Sequence, residues 1–247
     1  MKQRESSSKN NLLPTLKKRI SKLLDFLLVV LKLVRVKPNA IWVGDSHAHF
    51  ISRNGKRIRH FSITDENHLL IWLGPKLLYS VSKHGLSIDK LTKLVLNKAA
   101  FGQNLVLSFG EIDCRVHFVT KTLDKGVKGF DNIAKNYSDS VMEFLKIYNL
   151  GSALILTPVP PSDFGLDNPV FPRNGSLSER VIVTKMITES LVNISSPKFR
   201  IINLFGILSN QDGTLNMKYS SDGVHVNFLG SNRILKELGF QKYGGLP

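Results

Sequence analysis

The feature that most constrains the fold is an apolar run that ends abruptly in polar residues. Residues 41–43 (Ile-Trp-Val) lead directly into Gly44, and the polar segment 45–49 (Asp-Ser-His-Ala-His) follows at once. A short continuous apolar run is typical of a strand that is buried on both faces of a parallel sheet. In open α/β sheets, ligands bind beyond the carboxyl ends of such strands. Ser46 is therefore a candidate nucleophile that faces a ligand rather than the core.

A second apolar run has the same form. Residues 104–109 form a predicted strand, and residues 110–115 (Gly-Glu-Ile-Asp-Cys-Arg) add a second polar cluster at its end. Further strands are predicted at 61–63, 153–157 and 199–204, and helices at 75–85, 88–100, 130–148, 176–193 and 230–238. A loop is predicted over residues 67–74, before the helix that begins near Pro75. Ser176 and Glu179 have the spacing of a capping box at the start of the helix 176–193. Because strands and helices alternate from residue 39 to residue 238, the sequence predicts one α/β domain with a mainly parallel sheet.

The first 38 residues form a distinct amino-terminal region. They contain ten basic and two acidic residues, and so carry +8 of the chain's net charge of +15. We expect a disordered polar tail over residues 1–12 and an amphipathic helix with a basic face over residues 16–34. The longest uncharged run in that helix, residues 26–31, is far shorter than the roughly 20 residues that cross a membrane. The predicted division is a tail and helix at 1–38 and the α/β domain at 39–247.

Two interpretations of the amino-terminal helix stay open. Either it packs on the α/β domain, or residues 16–35 make peripheral contact with an anionic membrane. The basic charge suits an anionic partner, but no nucleic acid is expected because no recognition motif interleaves aromatic with basic residues. The single cysteine, Cys114, excludes an internal disulfide framework and fits a reducing compartment. We therefore expect a cytoplasmic protein, with any membrane contact at the inner face.

The end of the chain supplies the groups that a serine nucleophile needs. A serine hydroxyl reacts only when a base removes its proton, and the base works best when a third group fixes its tautomer. Asp222 and His225 lie three residues apart just before the last predicted helix. This spacing can place a carboxylate beside one imidazole nitrogen and leave the other nitrogen for Ser46.

These residues carry a resemblance to a known family. Gly44-Asp45-Ser46, Gly74, residues 110–113 and the Asp222/His225 pair occur in the same order as the four sequence blocks of the SGNH (GDSL-like) hydrolase superfamily. The resemblance covers about residues 39–238, with specific motifs at its two ends and weaker ones between. It implies a three-layer α/β/α domain with a mainly parallel, flavodoxin-like sheet. The third block, Gly-Glu-Ile-Asp-Cys-Arg, resembles that of a divergent subgroup.

The resemblance also implies roles for particular residues. Ser46 would be the nucleophile and an oxyanion donor through its amide, His225 the base, and Asp222 the group that orients it. Gly74 would supply a second oxyanion amide. The superfamily places an asparagine where this chain has Ile112, and loss of one oxyanion donor typically costs roughly 100- to 1000-fold in turnover. Arg115 could substitute or bind an anionic substrate group, so Gly74, Arg115 and Asp113 are the candidate oxyanion and substrate-binding residues.

The implied function is a serine-dependent esterase or O-acyltransferase that acts on an O-acyl ester, such as an acetylated glycan, through an acyl-serine intermediate. No cofactor and no metal ion are expected for that chemistry. One alternative is a non-catalytic SGNH-fold protein that binds a ligand or a membrane. Another is a metal-dependent hydrolase, because Asp45, His47 and His49 alternate as metal ligands do on an extended segment. That spacing resembles the deoxyribonucleases built on a (β/α)₈ barrel, although this chain lacks their later histidines.

For two further features of the sequence, more than one interpretation stays open. Outside the metal hypothesis, His47 and His49 either contact the substrate, or pack against the catalytic residues, or are ordinary polar loop residues. The proline-rich segment 158–172 is either a substrate loop or a plain connection.

Overall fold

The computed structural model describes residues 12–52, 58–100, 102–165 and 172–239. Within these residues one sheet contains six strands. In chain order they are β1 (Ala40–Gly44), β2 (Phe61–Ile63), β3 (His68–Trp72), β4 (Asn104–Ser108), β5 (Ser152–Leu156) and β6 (Phe199–Ile202).

The strand order explains where a ligand site can form. The order across the sheet is β2-β3-β1-β4-β5-β6, and only the β2–β3 pair at one edge is antiparallel among the described strands. The chain leaves β1 for β3 on one side and later returns to β4 on the other. This change of direction opens a crevice at the carboxyl ends of β1 and β4, where flavodoxin-like sheets bind ligands.

The helices cover both faces of the sheet. They are α1 (Leu12–Leu33), α2 (Leu78–His84), α3 (Lys90–Ala99), α4 (Phe118–Lys121), α5 (Gly126–Ile147), α6 (Leu177–Asn193), α7 (Leu204–Leu208) and α8 (Phe228–Leu238). A π-helical turn, Asp113–His117, precedes α4. The three-layer α/β/α architecture with a mainly parallel sheet is therefore confirmed.

Alternate residues of the strands fill two separate cores. Ile41 and Val43 of β1 belong to the core beneath the layer that contains α2, α5 and α6, whereas Ala40 and Trp42 belong to the core beneath α7 and α8. All four side chains are fully buried. This burial on both faces is why β1 appears in the sequence as a continuous apolar run.

Three of the sequence-based assignments need correction. Residues 67–74 were expected to form a loop, but they contain β3, a buried run bounded by Asn67 and Gly74. The following helix begins at Leu78 rather than near Pro75. The barrel alternative is wrong, because the described strands form an open sheet with an antiparallel edge.

Helix α1 packs on the α/β domain through one face. The carboxylate of Asp25 accepts a hydrogen bond from the amide of His60 at 3.0 Å, and Lys22 forms an ion pair with Asp89. Val29 is buried in the core, and the ring of Phe26 meets that of Phe61 edge to face. Within the described residues, no helix is both long and apolar enough to cross a membrane. Of the predicted disordered tail, residues 1–11 lie outside the described residues, and Leu12 is already helical.

Candidate active site

Glycine at the end of β1 allows the chain to turn close to β4. A Cβ atom at Gly44 would lie 2.3 Å from the carbonyl oxygen of Ser108, nearer than side chains ever approach. The amide of Asp45 donates to that same oxygen at 3.3 Å. The chain then enters a short 3₁₀ helix, Ser46–Ser52. Ser46 is thereby held at the second residue beyond β1, at the start of this helix, and is only partly buried.

The structure brings Ser46, His225 and Asp222 together, although 179 residues separate the first two. His225 Nε2 lies 3.0 Å from Ser46 Oγ, and His225 Nδ1 lies 2.7 Å from Asp222 Oδ2. The side chains of His225 and Asp222 are about one-third exposed, at 30% and 36%. The three groups therefore form a continuous hydrogen-bonded chain that solvent or a substrate can reach.

The loop before α8 fixes the position of His225. Asp222 Oδ1 accepts hydrogen bonds from the amides of Val224 and His225, at 2.9 and 2.7 Å. Ser220 Oγ donates to the carbonyl of His225 at 2.6 Å. Burial by itself would raise the pKa of Asp222, but the hydrogen bonds from His225 and Val224 lower it overall. Asp222 is therefore a carboxylate, and it favours the tautomer of His225 that carries its proton on Nδ1.

The resulting protonation pattern determines what the three groups can do. With a proton on Nδ1 facing Asp222, the Nε2 atom of His225 carries a lone pair and accepts the hydrogen bond from the hydroxyl of Ser46. This arrangement can remove the serine proton as the oxygen attacks an electrophilic carbon, and can return it to a leaving group.

His47 joins the two halves of the site. Its Nδ1 lies 3.1 Å from Asp45 Oδ1, and its Nε2 lies 3.0 Å from the carbonyl oxygen of Val224. Both partners are acceptors, so both ring nitrogens can be satisfied only if each carries a proton. Burial alone would lower the pKa of His47, but Asp45, Glu111 and the Val224 carbonyl raise it to about 9. The buried imidazolium thus links the turn after β1 to the loop before α8.

The ring of His47 also touches the ring of His225. Their centroids are 5.1 Å apart and their planes differ by 22°, which is a stacked arrangement. Sequence analysis left His47 without a definite role. The Asp45-x-His47 spacing was visible in the sequence, but its contacts with Val224 and His225 bridge residues 177 and 178 positions away and depend on the tertiary fold.

Gly74 lies beside the turn that carries Ser46. The amide of the preceding residue, Leu73, donates to the carbonyl of Gly44 at 2.9 Å. Gly74 itself has φ +79°, a conformation that favours glycine, and a Cβ built there would meet no atom within 4 Å. It therefore borders open space at the same edge of the sheet, although its donation to an oxyanion stays a prediction.

In the polar cluster after β4, residues 110–115, the structure gives Asp113 a different position from the substrate-binding one that the sequence suggested. Asp113 is fully buried, and its two carboxylate oxygens accept from the amides of Leu78 and Tyr79, at 2.7 and 3.3 Å. Burial raises the pKa of Asp113 to about 7, although those two hydrogen bonds oppose the rise. Its carboxyl group caps α2 instead of facing a substrate. Its neighbour Ile112 is only partly buried at the same edge of the sheet.

Arg115 holds the chain around the site. Its guanidinium donates to both carboxylate oxygens of Glu111, at 2.5 and 3.3 Å, and to the carbonyl of Pro172 at 2.7 Å. The carbonyl of Arg115 also accepts from the amide of Asn174 at 2.9 Å. These contacts fasten the end of the proline-rich segment. Binding of a substrate anion by Arg115 stays a prediction, and so does a substrate role for residues 158–172, of which 166–171 lie outside the described residues.

The metal hypothesis depended on an extended segment, which the structure does not contain. Residues 46–52 are helical, so the side chains of Asp45, His47 and His49 do not alternate on one face. Among the described residues, no group of three or more His, Cys, Asp and Glu side chains is placed to hold a metal ion. His49 is buried, and burial lowers its pKa to about 4. The metal interpretation of this spacing is therefore wrong.

No protein-family model and no curated protein matches the chain. Solved structures do resemble it. A lipase from a goat rumen metagenome is 14% identical, with 85% of this chain and 100% of that chain covered and a TM-score of 0.52. A GDSL-like lipase from Bacteroides thetaiotaomicron is 14% identical, with coverage of 87% and 95% and a TM-score of 0.46. A carbohydrate acetylesterase from Sinorhizobium meliloti is 13% identical, with coverage of 83% and 98% and a TM-score of 0.44.

These identities are low, so the similarity concerns the fold. The chain shares a three-layer α/β/α fold with the goat rumen lipase, and this is the fold that the resemblance of its sequence blocks to the SGNH (GDSL-like) superfamily implies.

Proposed function

We propose that this protein is a serine-dependent hydrolase of O-acyl esters. The observation that carries the proposal is the hydrogen-bonded chain from Ser46 Oγ to His225 Nε2 at 3.0 Å and from His225 Nδ1 to Asp222 Oδ2 at 2.7 Å. A nucleophile, a base and an orienting carboxylate at these distances are the arrangement that activates a serine. The similarity of the fold to that of a lipase agrees with this chemistry.

The reaction follows from the positions of the protons. Ser46 Oγ attacks the carbonyl carbon of the ester while its proton moves to His225 Nε2, and Asp222 stabilises the imidazolium that forms. The tetrahedral intermediate collapses as His225 gives the proton to the departing alkoxide, which leaves as an alcohol. A water molecule, deprotonated by His225, then attacks the acyl carbon, and the bond from that carbon to Ser46 Oγ breaks as His225 returns the proton to Oγ. The products are a carboxylic acid and free Ser46.

The negative oxygen of the intermediate needs hydrogen-bond donors. The amides of Ser46 and Gly74 are the candidates, and Ile112 can donate nothing from its side chain. We therefore expect slower turnover than in relatives with an asparagine at this position, because one donor is worth roughly 100- to 1000-fold. Transfer of the acyl group to another alcohol would use the same acyl-serine, with that alcohol in place of water. The predicted substrate class is an O-acyl ester, of which an acetylated glycan is one example.

The first test is covalent labelling of Ser46. We expect a fluorophosphonate probe to form one adduct per protein molecule, located on Ser46 by peptide mass spectrometry. The His225→Ala variant should lose at least about 100-fold in labelling rate, because a serine without its base is a weak nucleophile. Ser178→Ala, which alters an exposed serine on α6, is the matched control and should label as the wild type does.

The outcomes distinguish the competing classes of function. Labelling of another residue, or labelling of Ser46 that does not depend on His225, would contradict the assignment of the base. A folded protein that resists labelling and hydrolyses no short-chain ester would indicate a non-catalytic binding protein. Ile112, in place of an asparagine, would then be a sign of lost catalysis.

We also propose that α1 contacts an anionic membrane surface. The support is the apolar side that α1 turns away from the domain. Seven large apolar side chains there are 48–67% exposed: Leu16, Ile20, Leu23, Leu24, Leu27, Leu28 and Leu31. Val34, just beyond the end of α1, is 68% exposed. The packed side instead contains Asp25, Phe26 and Val29. Lys17, Arg19 and Lys32 are exposed on the same helix. An apolar stripe with basic neighbours suits an interface of anionic headgroups and acyl chains.

A further inference from the structure

A basic cavity lies between α1 and the loop that contains Gly74. Its volume is about 420 Å³, within the range of small-molecule sites. One wall comes from Lys18, Arg19 and Lys22 of α1. The opposite walls come from Trp72 to Lys76 after β3 and from Ser87 to Asp89 before α3. Helix α1 thus completes a cavity at the same edge of the sheet as Ser46.

The charges in this cavity are unbalanced. Four basic side chains line it, Lys18, Arg19, Lys22 and Lys76, against a single carboxylate, Asp89. Lys22 already pairs with Asp89. Within the described part of the chain, Lys18, Arg19 and Lys76 form no ion pair with a carboxylate. Among those residues, three positive charges of the cavity are not neutralised by a carboxylate, and Lys18 Nζ lies 6.0 Å from the centroid of the Trp72 ring.

Lys76 is held in place. Its Nζ donates to the carbonyl and the hydroxyl of Ser87, at 2.5 and 2.9 Å, both uncharged acceptors. Burial lowers the pKa of Lys76. The pKa of His60, which also lines the cavity, is lowered by burial and by the charges of Lys22 and Lys18, against the opposing charge of Asp25. The two lowered pKa values indicate an environment that is partly shielded from water and positively charged. An anion that enters such an environment would be stabilised.

The cavity is within reach of the reacting atoms. Trp72, in its wall, is the direct partner of Gly44 in the β1–β3 ladder. Neighbouring strands lie about 4.8 Å apart, and two residues of chain span at most about 7.6 Å, so the Cα atoms of Trp72 and Ser46 are separated by no more than about 12 Å. The wall that contains Trp72 therefore lies near Ser46, and a molecule that spans this distance would place an ester at Ser46 and another group in the cavity.

We propose that this cavity binds an anionic group, a phosphate or a carboxylate, carried by the ester that acylates Ser46. The inference rests on the proposed ester hydrolysis and adds the charge class of its substrate. Charge-assisted hydrogen bonds from Lys76 and Arg19 would recognise the anion, and the ring of Trp72 would border the carbon chain between the two groups.

The test compares two esters that differ by one phosphate, 1-acetylglycerol and 1-acetylglycerol 3-phosphate, with acetate release as the measurement. We expect a higher kcat/KM for the phosphorylated ester, mainly through a lower KM. The Lys76→Gln and Arg19→Gln variants should each lower the ratio of the two kcat/KM values by about 10-fold, as expected for a lost charge-assisted hydrogen bond. Lys128→Gln, which removes an exposed charge on α5, should leave both values unchanged.

A second arm separates failure of this inference from failure of the proposed function. Binding of glycerol 3-phosphate to the Ser46→Ala variant is measured by NMR titration, which requires no turnover. Chemical-shift changes around Lys76 and Trp72 that weaken in Lys76→Gln would support the cavity even in an inactive protein. Equal kcat/KM values for the two esters in the wild type, or absence of binding in the titration, would overturn the inference while leaving ester hydrolysis intact.

A third arm identifies the source of the anion. Long-chain 1-acylglycerol 3-phosphate in phosphatidylcholine vesicles is compared with the soluble acetyl ester. A preference for the vesicle substrate that Lys76→Gln reduces assigns the anion to a lipid headgroup. A preference for the soluble ester assigns it to a free phosphorylated metabolite.

Discussion

At the scale of single residues, Ile112 stands where the superfamily that the sequence resembles places an asparagine. The residue lies at the carboxyl end of β4, two positions after Gly110 and directly before the capping carboxylate of Asp113. The backbone at this point is therefore anchored through its neighbour. An asparagine could be introduced here without disturbing the cap of α2, so a missing oxyanion donor can be tested by one substitution.

We predict that Ile112→Asn raises kcat for a neutral acetyl ester by about 10-fold or more, with little change in KM. The reason is that a side-chain amide stabilises the transition state more than the ground state. Steady-state kinetics provide the measurement, and Ile112→Leu is the control for altered packing. Equal kcat values in the Asn and Leu variants would mean that the oxyanion is bound without this position.

At the scale of elements, α1 has one side that packs on the domain and one apolar side that faces solvent. One side is fastened to the domain through Asp25, Phe26 and Val29. The other side presents leucines to solvent, and the amino-terminal half of the helix also forms a wall of the basic cavity. A membrane contact through α1 would therefore bring the cavity close to the lipid surface.

We predict that replacing Leu27 and Leu31 together with Asp weakens binding to vesicles of phosphatidylglycerol and phosphatidylcholine by at least about 10-fold. Each half-exposed leucine should contribute on the order of 1 kcal/mol of apolar burial, and each added carboxylate is repelled by anionic lipid. Co-sedimentation measures the bound fraction, and added salt should reduce it.

The matched control is Ile147→Asp, because Ile147 is a 63% exposed residue at the end of α5. Sedimentation velocity without lipid tests whether a second copy of the chain, rather than a membrane, covers the apolar face of α1. A dimer that the double variant dissociates, together with no vesicle binding by the wild type, would assign the apolar face to a second copy of the chain.

At the scale of the whole molecule, the site depends on contact between segments near the two ends of the chain. The buried His47 connects Asp45, just after β1, with the carbonyl of Val224, just before α8. It also stacks on His225. The position of the base therefore depends on a charged hydrogen bond that no local segment could form.

We predict that this contact makes stability depend on pH. The pKa of His47 is about 9 in the folded protein and about 6.5 in an unfolded chain. The folded state thus keeps a proton that the unfolded state loses, so the stabilisation is complete below pH 6.5 and is lost as the pH rises towards 9. Urea unfolding at pH 6, 7.5 and 9 should show the free-energy difference between wild type and His47→Gln shrinking over this range.

The comparison variant is Ser178→Ala, which alters an exposed residue on α6 without a titratable group. The difference in its free energy of unfolding from the wild type should stay the same between pH 6 and 9. NMR titration of the His47 ring in the wild type checks the same point without a mutation, and a midpoint near 6.5 would contradict the assigned imidazolium.

The sequence by itself determined the features that depend on local pattern. The apolar run of β1 predicted a strand buried on both faces, and Ser176 with Glu179 predicted the capping box that opens α6. The missed strand, β3, is as apolar as β1, but Gly74 and Pro75 after it resembled the start of a helix. A short apolar run has no periodicity that distinguishes these cases, so the pairing with β1 decided it.

Only the tertiary structure decided how the site is assembled. The order of the sequence blocks suggested Ser46, Asp222 and His225 as the catalytic residues. Their hydrogen-bonding distances arise because β1 is central in the sheet and α8 packs near the carboxyl edge of that sheet. The same packing made Asp113 a buried cap, gave His47 its partner at Val224, and turned the leucines of α1 outward. These outcomes depend on contacts between residues distant in the sequence, and local propensity carries no information about them.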